Sequence, residues 1–590
     1  MRAPRAVLSL AVTAVLSTLV VGPAVTAATP SSTPHFGEVT KDYIVPTPLG
    51  ELFLEVVHPT LKGHIVDAPV ILTYTPYAVL GRNGDAGHWV GDLGYTRATA
   101  DVIGTGNSGG CYDYGGNREK RTGHDLVQWI ARQGWSDRKV GMLGGSYDGT
   151  TQYATAVTHP KGLVTIVPEA AIDRWYDYAY SGGIRYTDTN EDVGHEGPGA
   201  AGDEGVDTPL GFDYGFAIPP PIDGTDPDWA QRVSSTIQPC DELKHTTEAY
   251  SDTPNYGGFW QERDYLDGNP GDPTDDIHSV TIPVLVASNW GDWNVKQVDG
   301  WQIINGLTSS PNSRAIFGGR WHGHGVPQNT KDFSYDDPGG AVDQWMNHWL
   351  RGIDNGIPQS LPRITTRSAD DNVELGYTAA PRTHGLRLTL SHDAGGFALT
   401  PDGGASSAGS PAASYAWTQS NTESGMVMHP FAPGPGYVGF VSPPIPKGKS
   451  LRIYGEPVLH FRSTVSGQWV TTAVSLLDFD PANFAGTGPA TTAIKPSAVV
   501  ALTRGWLDSR YRHGLGDDEM VIPDKPFTQN LALKPTDYTV LAGHRVVLLM
   551  STETLEWAKS KLPDTPASNS VTIDYTQGQS YLTLPSRWQR

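Results

Sequence analysis

Short apolar runs alternate with helix-like segments between residues 43 and 350, and this alternation predicts an α/β domain. The apolar runs have the length of buried strands and lie between Gly, Pro or Asp residues, at 69–74, 140–143, 163–167, 282–287 and 315–317. Such runs between helical patterns are typical of a parallel sheet covered on both faces. Apolar residues at helical spacing over 341–350 predict a helix that packs on this sheet.

Two other regions have a different pattern. Between residues 168 and 281 the strand rhythm disappears, and a segment rich in Gly, Asp, Tyr and Trp predicts a cap inserted at about 170–280. After residue 352, β-like runs separated by Pro-, Gly- and Ser-rich stretches occur at 386–390, 458–462, 470–477 and 545–550. Many short strands with turn residues between them predict an antiparallel sandwich or jelly roll.

The predicted organisation is therefore an α/β domain at 37–360 with an inserted cap, followed by an all-β jelly-roll domain at 361–590. A chain of 590 residues is also too long for one ordinary hydrophobic core.

The formal charge of −21 argues against nucleic-acid or anionic-membrane partners, because both would repel an acidic surface. Two cysteines leave too few thiolates for a structural zinc site, and the sequence predicts no metal and no organic cofactor.

The N-terminus has the three-part pattern of a secretory signal peptide. Arg2 and Arg5 precede an apolar run at 6–21, and small residues lead up to Ala27. This pattern predicts a signal peptide at 1–27 and a secreted, extracellular protein without membrane attachment after cleavage. A membrane anchor or a buried helix is the alternative. Outside the cell, Cys111 and Cys240 could form a disulfide, or both could remain buried thiols.

A glycine-rich turn around Ser146 is the most informative chemical signal. The strand predicted at 140–143 leads into two glycines and then Ser146, and a helical pattern follows. This is the arrangement of the nucleophile elbow of α/β hydrolases, in which the next backbone N–H, here of Tyr147, faces the developing oxyanion. The turn departs from the usual pattern because Asp148 occupies the position of the second glycine, which stands at Gly149 instead. The alternative interpretation is an ordinary exposed serine.

An acid and a base follow later strands in the order that this fold requires. Asp292 comes soon after the strand predicted at 282–287, and His322 and His324 follow the strand predicted at 315–317. In such enzymes the acid orients the histidine, which takes the proton of the serine. Spacing alone leaves the choice between the two histidines open. A turn cap is the simpler interpretation of Asp292. For the two histidines it is a surface loop or a set of metal ligands, although no third ligand at suitable spacing accompanies them.

Several segments resemble the X-Pro dipeptidyl-peptidase and cocaine-esterase superfamily of serine hydrolases. These are the serine turn Gly-Gly-Ser-Tyr-Asp-Gly, the glycine-rich stretch at 101–111, and the segments at 171–178, 259–265, 291–296 and 350–356. Stretches at 451–461 and 539–550 are similar to its jelly-roll domain, so the resemblance extends over most of the chain. The aromatic segments at 171–178 and 259–265 favour the X-Pro dipeptidyl-peptidases over the esterases.

The resemblance implies a catalytic role for five residues. Ser146 would be the nucleophile, Asp292 the orienting acid and His324 the base, because Gly-x-His ends the triad loop in this superfamily. The oxyanion would be held by the N–H of Tyr147 and by the hydroxyl of Tyr77 in a Thr-Pro-Tyr turn. Tyr77 could instead only pack beside its proline.

The substrate pocket is less well defined by the resemblance. Trp175 and Tyr178 match an aromatic segment near the pocket of the relatives, with core packing as the alternative. A dipeptidyl-peptidase must recognise a free ammonium group, for which a carboxylate is the natural partner. The acidic cap offers the candidates Asp173, Asp177, Glu191 and Asp192. The pair Asp173-Arg174 departs from the small polar residues expected before Trp175, and the chain lacks room for the long N-terminal domain of larger relatives.

We therefore predict a secreted serine exopeptidase that releases N-terminal X-Pro dipeptides through an acyl-enzyme, with peptides carrying proline at the second position as substrates. One alternative is an acyl esterase or α-amino-acid ester hydrolase that uses the same triad. A second alternative is a glycan-binding protein with a degenerate hydrolase domain, against which the set Ser146, Asp292 and His324 argues. The sequence leaves the oligomeric state open.

Overall fold

The computed structural model describes residues 35–590 with gaps. The segments outside the described residues are 1–34, 78–82, 187–237, 240–253, 270–274, 319–337, 369–377, 394–395, 402–411, 418–421, 428–433, 435, 484–497, 517, 555–556 and 560–569. The predicted signal peptide, most of the predicted cap, His322, His324 and Cys240 fall in these segments. Within the described ranges, no helix combines the length and apolarity needed to cross a bilayer.

The first part of the chain forms a main sheet surrounded by helices, with short strands that pair outside this sheet. Its strands are β1 (Gly37–Thr47), β2 (Gly50–Leu61), β3 (His64–Ile65), β4 (Ala68–Thr75), β5 (Thr96–Asp101), β6 (Cys111–Tyr112), β7 (Ser136–Gly145), β8 (Leu163–Glu169), β9 (Tyr180–Ser181), β10 (Ile184–Tyr186), β11 (Gln238–Pro239), β12 (Leu285–Asn289), β13 (Arg314–Gly318), β14 (Ile364–Thr366) and β15 (Thr378–Ala379). Its helices are α1 (Asn117–Ala131), α2 (Tyr147–Ala156), α3 (Trp175–Ala179), α4 (Gly258–Glu262), α5 (Gln297–Gly306), α6 (Ala341–Arg351) and α7 (Ile357–Ser360).

The strand order of the main sheet is β1-β2-β5-β4-β7-β8-β12-β13-β14-β15, with β3 paired to β2, and β6, β9, β10 and β11 pair outside this sheet. The pairings from β5 to β14 are parallel, whereas those at the two ends are antiparallel. The five strands predicted from apolar runs are β4, β7, β8, β12 and β13, which lie side by side in this order. The prediction of a parallel sheet is therefore confirmed, and the carboxyl ends of its strands meet at one edge.

Alternate residues of the central strands face opposite helical layers. Val70 and Leu72 of β4 join the core shared with α1, α2 and α5, whereas Ile71 joins the core shared with α6. In β12, Val286 joins the first of these cores and Leu285 joins the second. Because both faces are covered, the central strands are apolar on both sides, which explains their continuous apolar runs. Helix α6 confirms the helix predicted at 341–350.

The sheet continues past residue 360, the predicted end of the catalytic domain. Strand β14 pairs with β13, and β15 pairs with β14. The sequence pattern missed this extension because β14 has three residues and a single large apolar side chain, too few to show a periodicity.

The C-terminal part of the chain is an all-β domain, which we call the β-rich domain. Its elements are β16 (His384–Asp393), β17 (Gly396–Pro401), β18 (Ala413–Ala416), α8 (Glu423–Val427), β19 (Tyr437–Val441), β20 (Ser450–Gly455), β21 (Val458–Val465), β22 (Thr471–Phe479), β23 (Val499–Asp508), β24 (Phe527–Ala532), β25 (Thr536–Val540), β26 (Arg545–Ser551), β27 (Ala558–Lys559), β28 (Ser570–Asp574) and β29 (Tyr581–Gln589). The strands fold over a separate apolar core, and all pairings among the described strands of its sheet are antiparallel except that of β17 with β19. The predicted all-β domain is confirmed.

Two short pairings link the cap segment to the rest of the molecule. Strand β10 pairs with β27 of the β-rich domain, and β11 pairs with β6. Both β10 and β11 belong to the segment predicted as a cap. The described part of this segment therefore contacts both the hydrolase part and the β-rich domain.

Candidate active site

Ser146 lies at the turn between β7 and α2, at the carboxyl edge of the sheet. Its backbone has φ 58° and ψ −124°, a conformation that a residue with a side chain rarely adopts. The turn is held by the N–H of Ser146, which donates to the carbonyl of Glu169 at 2.9 Å, and by the carbonyl of Ser146, which accepts from Gly149 and Thr150 at 3.0 Å each. A strained serine held in this way between a strand and a helix is the geometry of a nucleophile elbow.

Two glycines make the turn possible, and they explain the departure at Asp148. A Cβ on Gly144 would lie 2.6 Å from the Cβ of Asp148, so the residue before the turn must be glycine if Asp148 is to fit. A Cβ on Gly149 would lie 2.7 Å from the carbonyl oxygen of Glu169 and 2.8 Å from the Cβ of Ala171. Gly149 therefore permits the close contact of α2 with β8, one residue later than in the usual pattern.

The hydroxyl of Tyr77 lies beside Ser146. It is 3.3 Å from Oγ of Ser146 and 3.4 Å from the backbone nitrogen of Tyr147. The turn that places it begins at β4, where Oγ1 of Thr75 accepts from the N–H of Tyr77 at 3.0 Å. The N–H of Tyr147 donates to the Tyr77 hydroxyl, which in turn donates to Oγ of Ser146, so two hydrogen-bond donors lie side by side next to the serine, as an oxyanion hole requires. The structure brings these three predicted residues together.

The side chain of Tyr147 is held behind the site by a buried network. Its hydroxyl accepts from Tyr112 at 2.9 Å and donates to Oε2 of Glu119 at 2.9 Å. Glu119 is fully buried, and burial, followed by the nearby charge of Asp113, raises the pKa of its carboxyl to about 8. The sequence analysis did not identify Glu119, because an acid in the first turn of a helix is an ordinary feature. Nothing in the sequence places it near Tyr147.

Asp292 lies in the loop after β12, at the same sheet edge as Ser146, and is 1% exposed. Its Oδ1 accepts from the N–H groups of Asn294 at 3.0 Å and Val295 at 3.1 Å, so the backbone of its own loop fixes the carboxylate. His324, the predicted base, and His322 lie outside the described residues. The choice between them stays a prediction.

The structure places Trp175 as a packing residue behind the site. Its ring is 0% exposed and lies between Tyr114, at a centroid distance of 4.4 Å, and Tyr147, at 5.2 Å. Its indole N–H donates to the hydroxyl of Tyr265 at 3.0 Å. Tyr178 is 6% exposed, and its hydroxyl donates to Asn294 at 3.4 Å, beside Asp292. Trp175 thus supports Tyr147, and Tyr178 contacts the loop of the acid.

The candidate ammonium partners have different surroundings. Asp173 is fully buried next to Asp299, and the backbone N–H of Asp173 donates to Oδ1 of Asp299 at 3.0 Å. Burial raises the pKa of the Asp173 carboxyl well above its usual range. A carboxyl held neutral does not fit the role of an ammonium partner. Asp177 is paired with Arg174 at 3.3 Å. Glu191 and Asp192 lie outside the described residues.

Two further predictions concern covalent and metal chemistry. Cys111 is disulfide-bonded, and Cys240, the other cysteine of the sequence, lies outside the described residues. The backbone of β11, directly before Cys240, pairs with Cys111 and Tyr112. Among the described residues, no group of three or more His, Cys, Asp and Glu side chains could hold a metal ion.

Comparisons with known proteins identify similar sequences along most of the chain. The sequence model described as X-Pro dipeptidyl-peptidase (S15 family) matches residues 51–324, and that of the X-Pro dipeptidyl-peptidase C-terminal non-catalytic domain matches residues 355–582. A Bacillus anthracis protein, named provisionally as a Xaa-Pro dipeptidyl-peptidase, is 26% identical over 504 residues, which are 81% of this chain and 72% of that protein. The Xaa-Pro dipeptidyl-peptidase of Ligilactobacillus salivarius is 25% identical over 303 residues, which are 47% of this chain and 32% of the length of that protein.

A solved structure supports the fold. The CocE/NonD family hydrolase of Staphylococcus aureus superposes with a TM-score of 0.69 at 13% identity, and the match covers 93% of each chain. At this identity the likeness shows the fold alone, an α/β hydrolase followed by a β-rich domain. Together with the two sequence models, which follow each other along most of the chain, it leads to one assignment. The chain belongs to the X-Pro dipeptidyl-peptidase family and is a serine-type peptidase of the α/β-hydrolase fold.

Proposed function

We propose that this protein is a secreted exopeptidase that removes N-terminal X-Pro dipeptides through an acyl-enzyme intermediate. The observation that carries the proposal is the position of the Tyr77 hydroxyl, which lies 3.3 Å from Oγ of Ser146 and 3.4 Å from the backbone nitrogen of Tyr147 at the edge of the parallel sheet. Asp292 lies at the same edge. The names of the relatives support proline at the second position of the substrate.

The first half of the reaction forms the acyl-enzyme. His324 takes the proton from Oγ of Ser146 as this oxygen attacks the carbonyl carbon of proline, the second residue of the substrate. The carbonyl oxygen becomes an oxyanion, which accepts hydrogen bonds from the Tyr77 hydroxyl and the Tyr147 N–H. When the intermediate collapses, the C–N bond breaks and the histidine gives its proton to the leaving amine.

The second half of the reaction releases the dipeptide. Water loses a proton to His324 and attacks the ester carbon on Ser146, and a second oxyanion occupies the same two donors. Collapse breaks the bond to Oγ, which regains its proton from the histidine. Asp292 stabilises the imidazolium in both halves, and the two backbone bonds to Oδ1 keep its carboxylate in place.

Cleavage of three substrates tests the proposal. We would compare an Ala-Pro anilide, an N-acetylated Ala-Pro anilide and a simple aryl ester, each with wild type and with Ser146→Ala. We expect cleavage of the free anilide only, with a loss of at least ~10³-fold in Ser146→Ala. An exposed serine of the β-rich domain provides the matched control, because Ser414→Ala should retain full activity.

Each other outcome contradicts a different part of the proposal. Cleavage of the ester alone would show an ester hydrolase that uses the same site. Equal cleavage of the free and acetylated anilides would exclude recognition of the ammonium group. Activity of Ser146→Ala near that of wild type would remove Ser146 as the nucleophile.

Secretion is proposed from the N-terminal pattern and requires its own test. A disulfide at Cys111 would suit an extracellular protein. When the full chain is expressed in a secreting bacterium, we expect protein in the medium whose first residue is Ala28. Protein that stays with the cells and still begins at Met1 would contradict the proposal.

A further inference from the structure

We propose that the β-rich domain positions Asp292 for catalysis by anchoring its loop on both sides, through Trp293 and through Trp290. This inference rests on the proposed role of Asp292. The relevant loop, residues 290–296, connects β12 to α5, and we call it the Asp292 loop. In the matching family the C-terminal domain is described as non-catalytic. The inference gives this domain an indirect part in the reaction, because it would hold a catalytic residue of the other domain in place.

The first anchor follows Asp292 directly. Trp293 is 6% exposed and lies in a cluster with Trp506 and Trp557, at centroid distances of 6.2 Å and 5.4 Å. The guanidinium of Arg504 lies 4.7 Å from the centre of the Trp293 ring and 4.1 Å from that of Trp557. A cation held over two indole rings out of contact with water is a strong and directional interaction.

The pocket around Trp293 is itself rigid. Arg504 donates through Nε to both carboxylate oxygens of Glu423, at 2.9 Å and 2.7 Å, and the indole N–H of Trp557 donates to Oε2 at 2.7 Å. Glu423 and Arg504 are 2% and 5% exposed, so the ion pair is shielded from solvent. The indole of Trp506 donates to Thr554 at 2.9 Å. Every one of these partners belongs to the β-rich domain.

The second anchor precedes Asp292 by two residues. The indole N–H of Trp290 donates to Oγ1 of Thr366 at 3.0 Å, and this hydroxyl donates to Oδ2 of Asp537 at 2.7 Å. Asp537 is also bound by two nitrogens of Arg452 on β20. All four residues are buried, and the ring of Trp290 stacks on Phe317 at 4.4 Å. A continuous chain of hydrogen bonds thus leads from the Asp292 loop to a buried ion pair of the β-rich domain.

The end of the loop is fixed as well, although by the cap segment. Lys296 has φ 70° and is fully buried, and its Nζ donates to the carbonyls of Tyr178 at 2.8 Å and Asn294 at 2.7 Å. Asp292 therefore lies in a short loop held at three points. A displacement of about 1 Å in a catalytic group can reduce a rate about 10²-fold. The anchor at Trp293 and the anchor that leads from Trp290 through Thr366 to the β-rich domain should therefore influence catalysis without touching substrate.

Two variants loosen one anchor each. Thr366→Val removes a hydroxyl with little change in volume, and Trp293→Leu empties the aromatic pocket, whereas Trp293→Phe keeps an aromatic ring in it. We expect kcat to fall about 10- to 100-fold in Trp293→Leu and less in Thr366→Val, with KM changed by less than about twofold. Trp293→Phe should restore much of the lost activity. The substrate is whichever of the anilide and the ester wild type hydrolyses.

Matched controls lie elsewhere in the β-rich domain. Tyr538→Phe removes a hydroxyl from the buried carboxylate of Asp478, and Trp469→Leu removes the ring on which Arg510 lies at 4.2 Å. We expect these controls to lower the melting temperature about as much as the anchor variants and to leave kcat unchanged. The acidic limb of the pH profile of kcat/KM should move to lower pH in the anchor variants alone, because a displaced Asp292 stabilises the imidazolium less.

The background Asp292→Asn gives the decisive comparison. If the anchors act through Asp292, then Trp293→Leu and Thr366→Val should change kcat by less than about twofold in that background. Equal losses in both backgrounds, or an unmoved acidic limb, would overturn the inference and leave the proposed function intact. Full activity of Asp292→Asn itself would overturn the role of Asp292 and the inference with it. Ester cleavage without anilide cleavage would contradict only the proposed substrate.

Discussion

The hydroxyl of Tyr147 donates to Oε2 of Glu119 at 2.9 Å, and the backbone N–H of the same tyrosine donates to the hydroxyl of Tyr77 at 3.4 Å, next to Ser146. Glu119 is fully buried in α1, a helix that packs on the sheet beside α2. The residue whose N–H we propose as an oxyanion donor is therefore tied through its side chain to a carboxyl on the neighbouring helix. Because burial raises the pKa of Glu119 to about 8, this carboxyl is protonated at neutral pH.

The variant Glu119→Gln should remove a pH dependence of stability. Between about pH 4.5 and pH 8 the folded wild type holds a proton on Glu119 that the unfolded chain has lost, so its free energy of unfolding falls as the pH rises. The slope can reach about 1.4 kcal/mol per pH unit. The glutamine does not titrate, and the melting temperature of the variant relative to wild type should therefore rise across this window in thermal denaturation. A constant difference between the two proteins would show that Glu119 is ionised in the folded state.

The variant Tyr77→Phe should lose an oxyanion donor without losing the nucleophile. The hydroxyl lies 3.3 Å from Oγ of Ser146, and the removal of one such donor lowers kcat about 10²- to 10³-fold. KM should change little, because the donor acts mainly on the charge of the transition state. Steady-state kinetics with Tyr43→Phe, which loses a hydroxyl on edge strand β1, provides the control. Equal kinetics of the two variants would assign Tyr77 a packing role.

The apolar runs predicted the centre of the main sheet well, and they missed β5 for a physical reason. This strand lies between β2 and β4, yet it contains Arg97, which is 7% exposed. The guanidinium donates to Asp85 at 2.9 Å and 3.1 Å, to the carbonyl of Ala98 at 2.9 Å and to Thr73 at 2.9 Å. A buried cation with all these partners is stable, but a hydrophobicity pattern takes it for a surface residue.

The candidate site was predictable to the extent that its residues are adjacent in sequence or belong to a known motif. Ser146 and Tyr147 follow from the local turn, and Asp292 follows from its position after a strand. Glu119 and Trp293 could not be found in this way. Glu119 reaches the site from another helix, and the partners of Trp293 lie more than 100 residues further along the chain, in the β-rich domain. Contacts between distant segments leave no periodic signal in one sequence.

Gly149→Ala should separate α2 from β8 and impair both stability and activity. The added Cβ would meet the carbonyl of Glu169 at 2.7 Å, a distance that backbone atoms cannot accommodate without moving. Overpacking of this kind costs about 1–3 kcal/mol, and the movement would shift the turn that carries Ser146. Gly134→Ala is the control, because a Cβ there meets nothing within 4 Å. Denaturant unfolding and kcat should be unchanged in the control, and equal behaviour of both variants would refute the packing role of Gly149.

His58 should limit stability in acid. Its ring is fully buried and lies against Tyr43 and Trp135 at centroid distances of 5.9 Å and 4.9 Å, and its Nε2 lies 3.0 Å from the hydroxyl of Tyr43. Burial, with a smaller effect of the charge of Lys41, lowers the pKa of this imidazole to about 4.

The unfolded chain binds a proton on His58 below about pH 6.5, whereas the folded protein binds it only near pH 4. The contribution of the neutral ring is therefore fully present above pH 6.5 and is lost as the pH falls toward 4. His58→Gln lacks this titration, so wild type should lose free energy of unfolding relative to the variant over that interval. Urea denaturation of both proteins at pH 7.0, 5.5 and 4.5 measures the difference. If the difference in free energy of unfolding between wild type and the variant is the same at all three pH values, His58 has nearly the same pKa in the folded and unfolded states. That result would contradict its burial as a neutral ring.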